Sequence, residues 1–267
     1  MSNRTALPLV FLSVLSLVSL TEYSNAQDQA KDEKQKEATF QGSTASQWVT
    51  ILESSKTPSE RRRAAKALGH IGPDAKDAVP ALIAALKDTD SPVRISAARA
   101  LGQIGPAAKA AVPDLIVALG DKTVRRSAAS ALGQIGPDAV PALIEALEDT
   151  DNDVRRFSAR ALGQIGPAAK AAVPALIEAL KHKDSDVRTH AASALGQIRP
   201  ASQAAVAALI ATLEDTSYYV RRSAAVALGH FGPAAKDAVP VLKLMSKRDT
   251  DPKVRNSASS ALKQIDK

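Results

Sequence analysis

Hydrophobic positions recur along this chain in two alternating patterns, both of helical period. The first has the form AVPALIEAL, with Val79, Leu82, Ile83 and Leu86 in one copy and Val173, Leu176, Ile177 and Leu180 in another, a spacing that gathers them on one helical face. Proline follows the valine at Pro80, Pro113, Pro141, Pro174 and Pro240, with Ala207 the exception. A first helical turn tolerates proline because the missing N–H would have no partner there. The second pattern is plainest as VRRSAASALGQIGP, Val124 to Pro137. Counting its valine as zero, apolar residues fall at 0, 4, 7, 8 and 11, as in Val93, Ala97, Ala100, Leu101 and Ile104. At about 100° per residue these form one contiguous face. Five copies stop on a glycine that can take a left-handed C-terminal conformation, followed by a proline that cannot continue the helix. These glycines are Gly72, Gly105, Gly136, Gly166 and Gly232, and Arg199 interrupts the pattern in the fifth copy.

The leucine of each ALG sets the period: Leu68, Leu101, Leu132, Leu162, Leu195 and Leu228, with Leu262 in the seventh copy, at intervals of 33, 31, 30, 33, 33 and 34 residues. The short intervals come from turns, with two residues missing near Gly120 and three after Pro137. Deletions confined to turns leave a stacking unit intact. The pattern predicts an all-α, right-handed α-solenoid of about seven stacked helix pairs over residues 44–267.

The order PxLxxL, then Asp, then VRxxAAxALGxIG resembles HEAT repeats of the short, phycobilisome lyase-like kind from about Thr44 to Ile265. The resemblance implies that second helices line an inner, concave wall. It also implies a structural ladder between units, formed by the first arginine after the valine and the aspartate six residues earlier. The matching residues are Asp88 with Arg94, Asp149 with Arg155, Asp215 with Arg221 and Asp249 with Arg255. Asp121 is displaced by the deletion before Arg125, and His182 stands where aspartate is expected before Arg188.

Composition narrows the chemistry. The chain has 267 residues, 45% hydrophobic but only 3% aromatic, so alanine and leucine must do the packing. The absence of cysteine excludes disulfides, zinc–thiolate sites and thiol nucleophiles. Arg4, the apolar stretch Ala6 to Leu20, and the small residues Ser24, Asn25 and Ala26 read as a signal peptide over 1–26, cleaved near Ala26. That stretch is shorter than the ~20 residues of a membrane span, so export to a periplasmic or extracellular space without stable membrane insertion is expected. Residues 27–43 are polar and charged and read as a flexible linker. Trp48 reads as a cap on the first repeat.

Positions 2, 6 and 10 of the second pattern lie opposite its apolar face, and 7 of these 21 residues are Lys or Arg while none is acidic. The acids inside the repeats are assigned to first helices and turns, Glu60 being the only one placed within a second helix. Given the net charge of +7, a cationic groove is expected, bordered by glutamines and roughly 60–70 Å long at ~10 Å per unit. Its candidate contacts are Arg62, Lys66, Arg99, Arg126, Arg156, Phe157, Arg160, His190 and Arg222, with Tyr218 and Tyr219 as a separate contact at a turn. The expected partner is a protein with an acidic surface or an anionic polysaccharide. Nucleic acid is disfavoured, because the groove lacks the aromatic series on which single strands stack.

Catalytic patterns are missing. Among His70, His182, His190 and His230 no two share the spacing of a metal pair. Two enzyme families resemble this design. One is similar to deoxyhypusine hydroxylase, whose iron is held by His-Glu pairs, whereas here Ile71, Lys183, Ala191 and Phe231 follow the histidines. The other comprises bilin lyases, which act with a partner subunit. The reading is therefore an exported, monomeric, non-enzymatic scaffold without metal or cofactor, with a lyase or oxidoreductase subunit as the alternative.

Overall fold

The computed structural model describes residues 38–200 and 202–267. The expected signal peptide and residues 27–37 of the expected linker lie outside them. Fourteen α-helices among the described residues form seven pairs. The first helices are Ala45–Ser54 (α1), Val79–Ala85 (α3), Val112–Ala118 (α5), Val140–Ala146 (α7), Val173–Ala179 (α9), Gln203–Thr212 (α11) and Val239–Arg248 (α13). The second helices are Pro58–Ile71 (α2), Ser91–Ile104 (α4), Arg125–Ile135 (α6), Asn152–Ile165 (α8), Ser185–Ile198 (α10), Tyr218–Phe231 (α12) and Pro252–Ile265 (α14). The stack is an all-α solenoid. No helix among the described residues is long and apolar enough to cross a membrane.

Second helices pack directly on one another from unit to unit, whereas first helices touch their counterparts sparsely. Small residues make this possible. The alanine at the ALG position is at most 1% exposed in every unit, from Ala67 to Ala261, and the glycine two residues on faces the alanine of the next unit at Gly69, Gly102, Gly163, Gly196 and Gly229, while Gly133 faces Gln164. A Cβ on Gly196 would lie 2.7 Å from the Cα of Ala227, and one on Gly102 would lie 2.9 Å from that of Ala131. Any side chain there would force the helices apart.

Four of the predicted stops lead through a 3-10 segment into the next first helix, at Gly72–Ala78, Gly105–Ala111, Gly166–Ala172 and Gly232–Ala238. The three-residue deletion trims the segment after Gly136 to Pro137–Ala139. In the fifth copy Arg199 itself turns left-handed, φ 48° and ψ 56°, a conformation that costs a non-glycine residue about 1–2 kcal/mol. With no proline to open it, α11 starts on Ser202, whose hydroxyl accepts from the Ala205 N–H.

Residues 39–43, read from the sequence as the end of the linker, instead belong to a hairpin of Thr39–Phe40 (β1) and Ser43–Thr44 (β2). Gln41 and Gly42 both turn at positive φ. The hairpin seals the first unit, as the Trp48 indole N–H donates to the Phe40 carbonyl at 3.1 Å. The Phe40 ring stacks on His70 at 4.7 Å, and Trp48 is 1% exposed.

The ladder runs one step out of phase with the pairs matched in the sequence. The Arg61 guanidinium grips the Asp88 carboxylate with two bonds, at 2.6 and 2.8 Å. Arg188 grips Asp215 at 2.7 and 2.9 Å, and Arg221 grips Asp249 at 2.8 and 2.9 Å. Arg94 reaches Asp121 at 3.0 Å, so the displaced aspartate keeps its rung. Asp88 with Arg94, Asp149 with Arg155, Asp215 with Arg221 and Asp249 with Arg255 therefore do not pair through their side chains. In each of these pairs the arginine Nη1 donates to the backbone carbonyl of the aspartate in its own turn. Arg61 and Arg188 donate in the same way to the carbonyls of Ser55 and His182. These arginines pin the turn ahead of their helix, and Arg61, Arg94, Arg188 and Arg221 also clasp the next unit. The other aspartate of the DTD turns acts locally, since Asp90 and Asp251 accept the N–H groups that open α4 and α14.

The rungs fail only at the centre. Arg125 bonds Asp153 rather than Asp149. Arg155 faces the unit that carries His182, and its buried Nε has no partner. Burial lowers the His182 pKa below the ordinary 6.5, and Arg155 lowers it further. The unfolded chain therefore protonates there first, and stability is lost as pH falls below that value. By contrast, the Arg61 bond holds the Asp88 carboxyl below its ordinary 3.8, and Arg221 does the same for Asp249, so those rungs weaken only at stronger acidity. Replacing His182→Asp is expected to supply the missing rung and raise stability in urea at neutral pH by about 0.5–1 kcal/mol. The margin should widen between neutrality and pH ~5. Equal or lower stability at both values would contradict this account of the gap.

Candidate functional site

The side chains at positions 2, 6 and 10 of the second helices lie along one face of the layer, all exposed or half-buried. Arg62, Lys66, Arg99, Arg126 and Arg222 are exposed there, Arg160 is half-buried, and none of the six enters an ion pair among the described residues.

Arg156, Phe157 and His190 differ from expectation. α8 and α10 begin two residues ahead of their valines, so Asp153 and Asp186 fall in their first turns. Glu60 is consequently not the only acid in a second helix. Arg156 bridges these two aspartates at 2.6 and 2.9 Å and is 23% exposed, which leaves little charge for a partner. Phe157 is 6% exposed and has the guanidiniums of Arg125 and Arg156 over its ring, 5.6 and 5.0 Å from the ring centre. It is a packing plug rather than a contact. His190 is half-buried, with Nδ1 2.8 Å from the Asp186 carbonyl and its ring tilted toward Phe157 at 6.5 Å. The glutamines, too, serve packing. The Gln103 Oε1 would collide at 2.1 Å with any Cβ on Gly69, and Gln134 stands in the same relation to Gly102.

The unpaired cations converge at one place. A cavity of about 450 Å³ is lined by Arg99 from α4, Arg126 from α6, Arg160 from α8, and Lys122 from the turn before α6. Ser127 and Ser130 supply hydroxyls, and Arg125, already held by Asp153, borders it. Lys122 was not among the residues singled out from the sequence. The signal for it was the two-residue deletion near Gly120. It costs α6 its first turn, since α6 starts at Arg125 and spans 11 residues where its counterparts span 14. Residues 122–124 thus form a turn where other units have begun their helix.

Tyr218 and Tyr219 sit in the first turn of α12 rather than in the preceding loop. Their rings are 4.0 Å apart. Tyr218 packs against the core, while Tyr219 is 55% exposed and lines a second cavity of about 310 Å³ with Thr189, Arg222, Val226 and His230. That places it on the same face as the cations. Among the described residues no three His, Cys, Asp or Glu side chains are grouped as a metal would need.

Substituting Arg156→Gln should lower stability by about 1 kcal/mol, since Asp153 and Asp186 lose their bridge. Arg126→Gln should leave stability unchanged or raise it, since the removed charge has like neighbours. Thermal denaturation of both variants decides this, and a larger loss for Arg126→Gln would contradict the assignment.

Models of HEAT repeats match residues 45–122, 112–176 and 173–263. No curated protein sequence matches the chain. Among solved structures it is similar to an engineered protein, at 28% identity over 83% of this chain and 96% of the other, with a TM-score of 0.43. It is also similar to the complex of CpcE and CpcF of phycocyanin lyase from Nostoc sp. PCC7120, at 29% identity over 85% and 96%, TM-score 0.46. Human deoxyhypusine hydroxylase is similar at 23% identity over 83% and 96%, TM-score 0.37. With repeat models covering nearly all of the described solenoid, the chain belongs to the HEAT-repeat family.

Proposed function

We propose that this protein is an exported, non-enzymatic HEAT-repeat scaffold that binds a macromolecule bearing acidic groups along the exposed face of its second helices. The observation that carries the reading is the set of cations on that face, Arg62, Lys66, Arg99, Arg126, Arg160 and Arg222, which have no acidic partner among the described residues. Closer packing of second helices than of first helices bends such a stack toward the second-helix side and makes that face concave. A rigid curved wall with fixed positive charge favours fast, salt-sensitive association with an acidic surface or chain. Tyr219 beside Arg222 adds an exposed aromatic of the kind that anchors interfaces.

The test is affinity capture from exported and cell-envelope material at low and moderate salt, with two charge-reversed variants. One carries Arg99→Glu, Arg126→Glu and Arg160→Glu. The other carries Lys76→Glu, Lys109→Glu and Lys170→Glu, exposed lysines of the 3-10 segments, and has the same net charge. A partner lost by the first variant and retained by the second is expected. Equal loss from both would reduce the interaction to net charge and contradict the proposal.

A further inference from the structure

The cationic face is not uniform, and the cavity between α4, α6 and α8 differs from the rest of it in kind. Arg99, Lys122, Arg126 and Arg160 bring four formal positive charges to a space of about 450 Å³ whose lining contains no acid. The acids nearest in sequence are already engaged, Asp121 by Arg94 and Asp153 by Arg125 and Arg156. Equivalent positions in the fifth copy are Thr189 and Ser193, and in the seventh Asn256 and Ser260, so no comparable cluster forms there. The cavity beside Tyr219, farther along the same face, holds a single arginine, Arg222.

Like charges facing one cavity repel one another, and nothing within the described protein offsets them. A bound anion would. Donors arrive here from three helices and one turn, hence from several directions, with the Ser127 and Ser130 hydroxyls among them. A carboxylate presents two oxygens in one plane, which suits a single guanidinium fork. A tetrahedral oxyanion presents oxygens on all sides and can accept from several such donors at once.

We infer that this cavity is a binding site for a dianionic tetrahedral oxyanion, a phosphate group, held by Arg99, Lys122, Arg126 and Arg160. The inference deepens the groove reading and rests on it, since it specifies the acidic group that the centre of the groove selects. The shortened turn is what completes the site. It removes the first turn of α6 and leaves Lys122 on the cavity wall, so the two-residue deletion is a specificity feature rather than a neutral loss.

The test is calorimetric titration of the chain from Gln27 to Lys267 with inorganic phosphate, methyl phosphate and malonate. It is run at constant ionic strength and pH ~8, where a phosphate ester is dianionic, its second ionisation lying near 6. Malonate matches the charge but not the shape. One phosphate per chain is expected, with affinity about tenfold or more above that of malonate. Arg99→Gln, Arg126→Gln and Arg160→Gln should each weaken it about tenfold, and Arg62→Gln, on the same face but outside the cavity, should leave it unchanged. Methyl phosphate binding as well as the free ion assigns the site to an ester carried by a partner, whereas exclusion of the ester assigns it to the free ion. Equal affinity for malonate, or equal loss in all four variants, would reduce the site to a diffuse field and overturn the inference. The titration contains no partner, so its failure and that of the groove reading are separable. Phosphate bound with no partner captured sinks the groove alone, and a partner captured without phosphate preference sinks the site alone.

Discussion

Everything in this solenoid depends on how closely its second helices approach one another. The constraint is carried by the least conspicuous residues of the repeat, the alanine and glycine of ALG. Where Gly196 meets Ala227, even one methyl group would fall 2.7 Å from a backbone carbon. Close approach brings Leu68, Leu101, Leu132, Leu162, Leu195 and Leu228 to complete burial, and each such leucine contributes roughly 1.5–3 kcal/mol. A partly exposed pair such as Arg188 with Asp215 contributes at most about 1 kcal/mol. The core therefore supplies the energy, and the ladder supplies register by tying each turn to its helix and each unit to the next.

The same geometry sorts the arginines. The first after the valine sits at the border of the apolar face, where carbonyls of its own turn and a carboxylate of the next unit are within reach. The second points away from the core and meets an acid only where a helix carries one in its first turn. That happens at Arg156, between Asp153 and Asp186. It does not happen at Arg126 or Arg222, so two adjacent arginines of one motif have different fates according to a single neighbouring residue.

The period, the two helices of each unit and the stop signals were legible in the sequence, because burial follows helical periodicity and glycine followed by proline ends a helix by simple sterics. The out-of-phase ladder was not, because Asp88 is close to Arg94 in sequence but close to Arg61 only after stacking. Phe157 looked like an exposed aromatic because position 3 borders the apolar face and holds Arg63, Ser127 or Ser223 in other copies. Its burial under two guanidiniums depends on Arg125 having turned toward Asp153. Lys122 was invisible for a related reason: a deletion shows that a turn is shorter, not where its side chains then go. The hairpin at Thr39–Thr44 is short and polar apart from Phe40, and only its contacts with Trp48 and His70 identify it as part of the fold.

The division of arginines into a paired ladder and an unpaired face is the central claim, and chemical footprinting measures it directly. The folded protein would be treated with an arginine-selective dicarbonyl such as phenylglyoxal and the modified positions followed over time by peptide mass spectrometry. Arg62, Arg99, Arg126 and Arg222 should react rapidly, while Arg61, Arg188 and Arg221, 16%, 13% and 14% exposed and each locked on a carboxylate, should stay protected until the chain unfolds. Indistinguishable rates for the two groups would contradict the account.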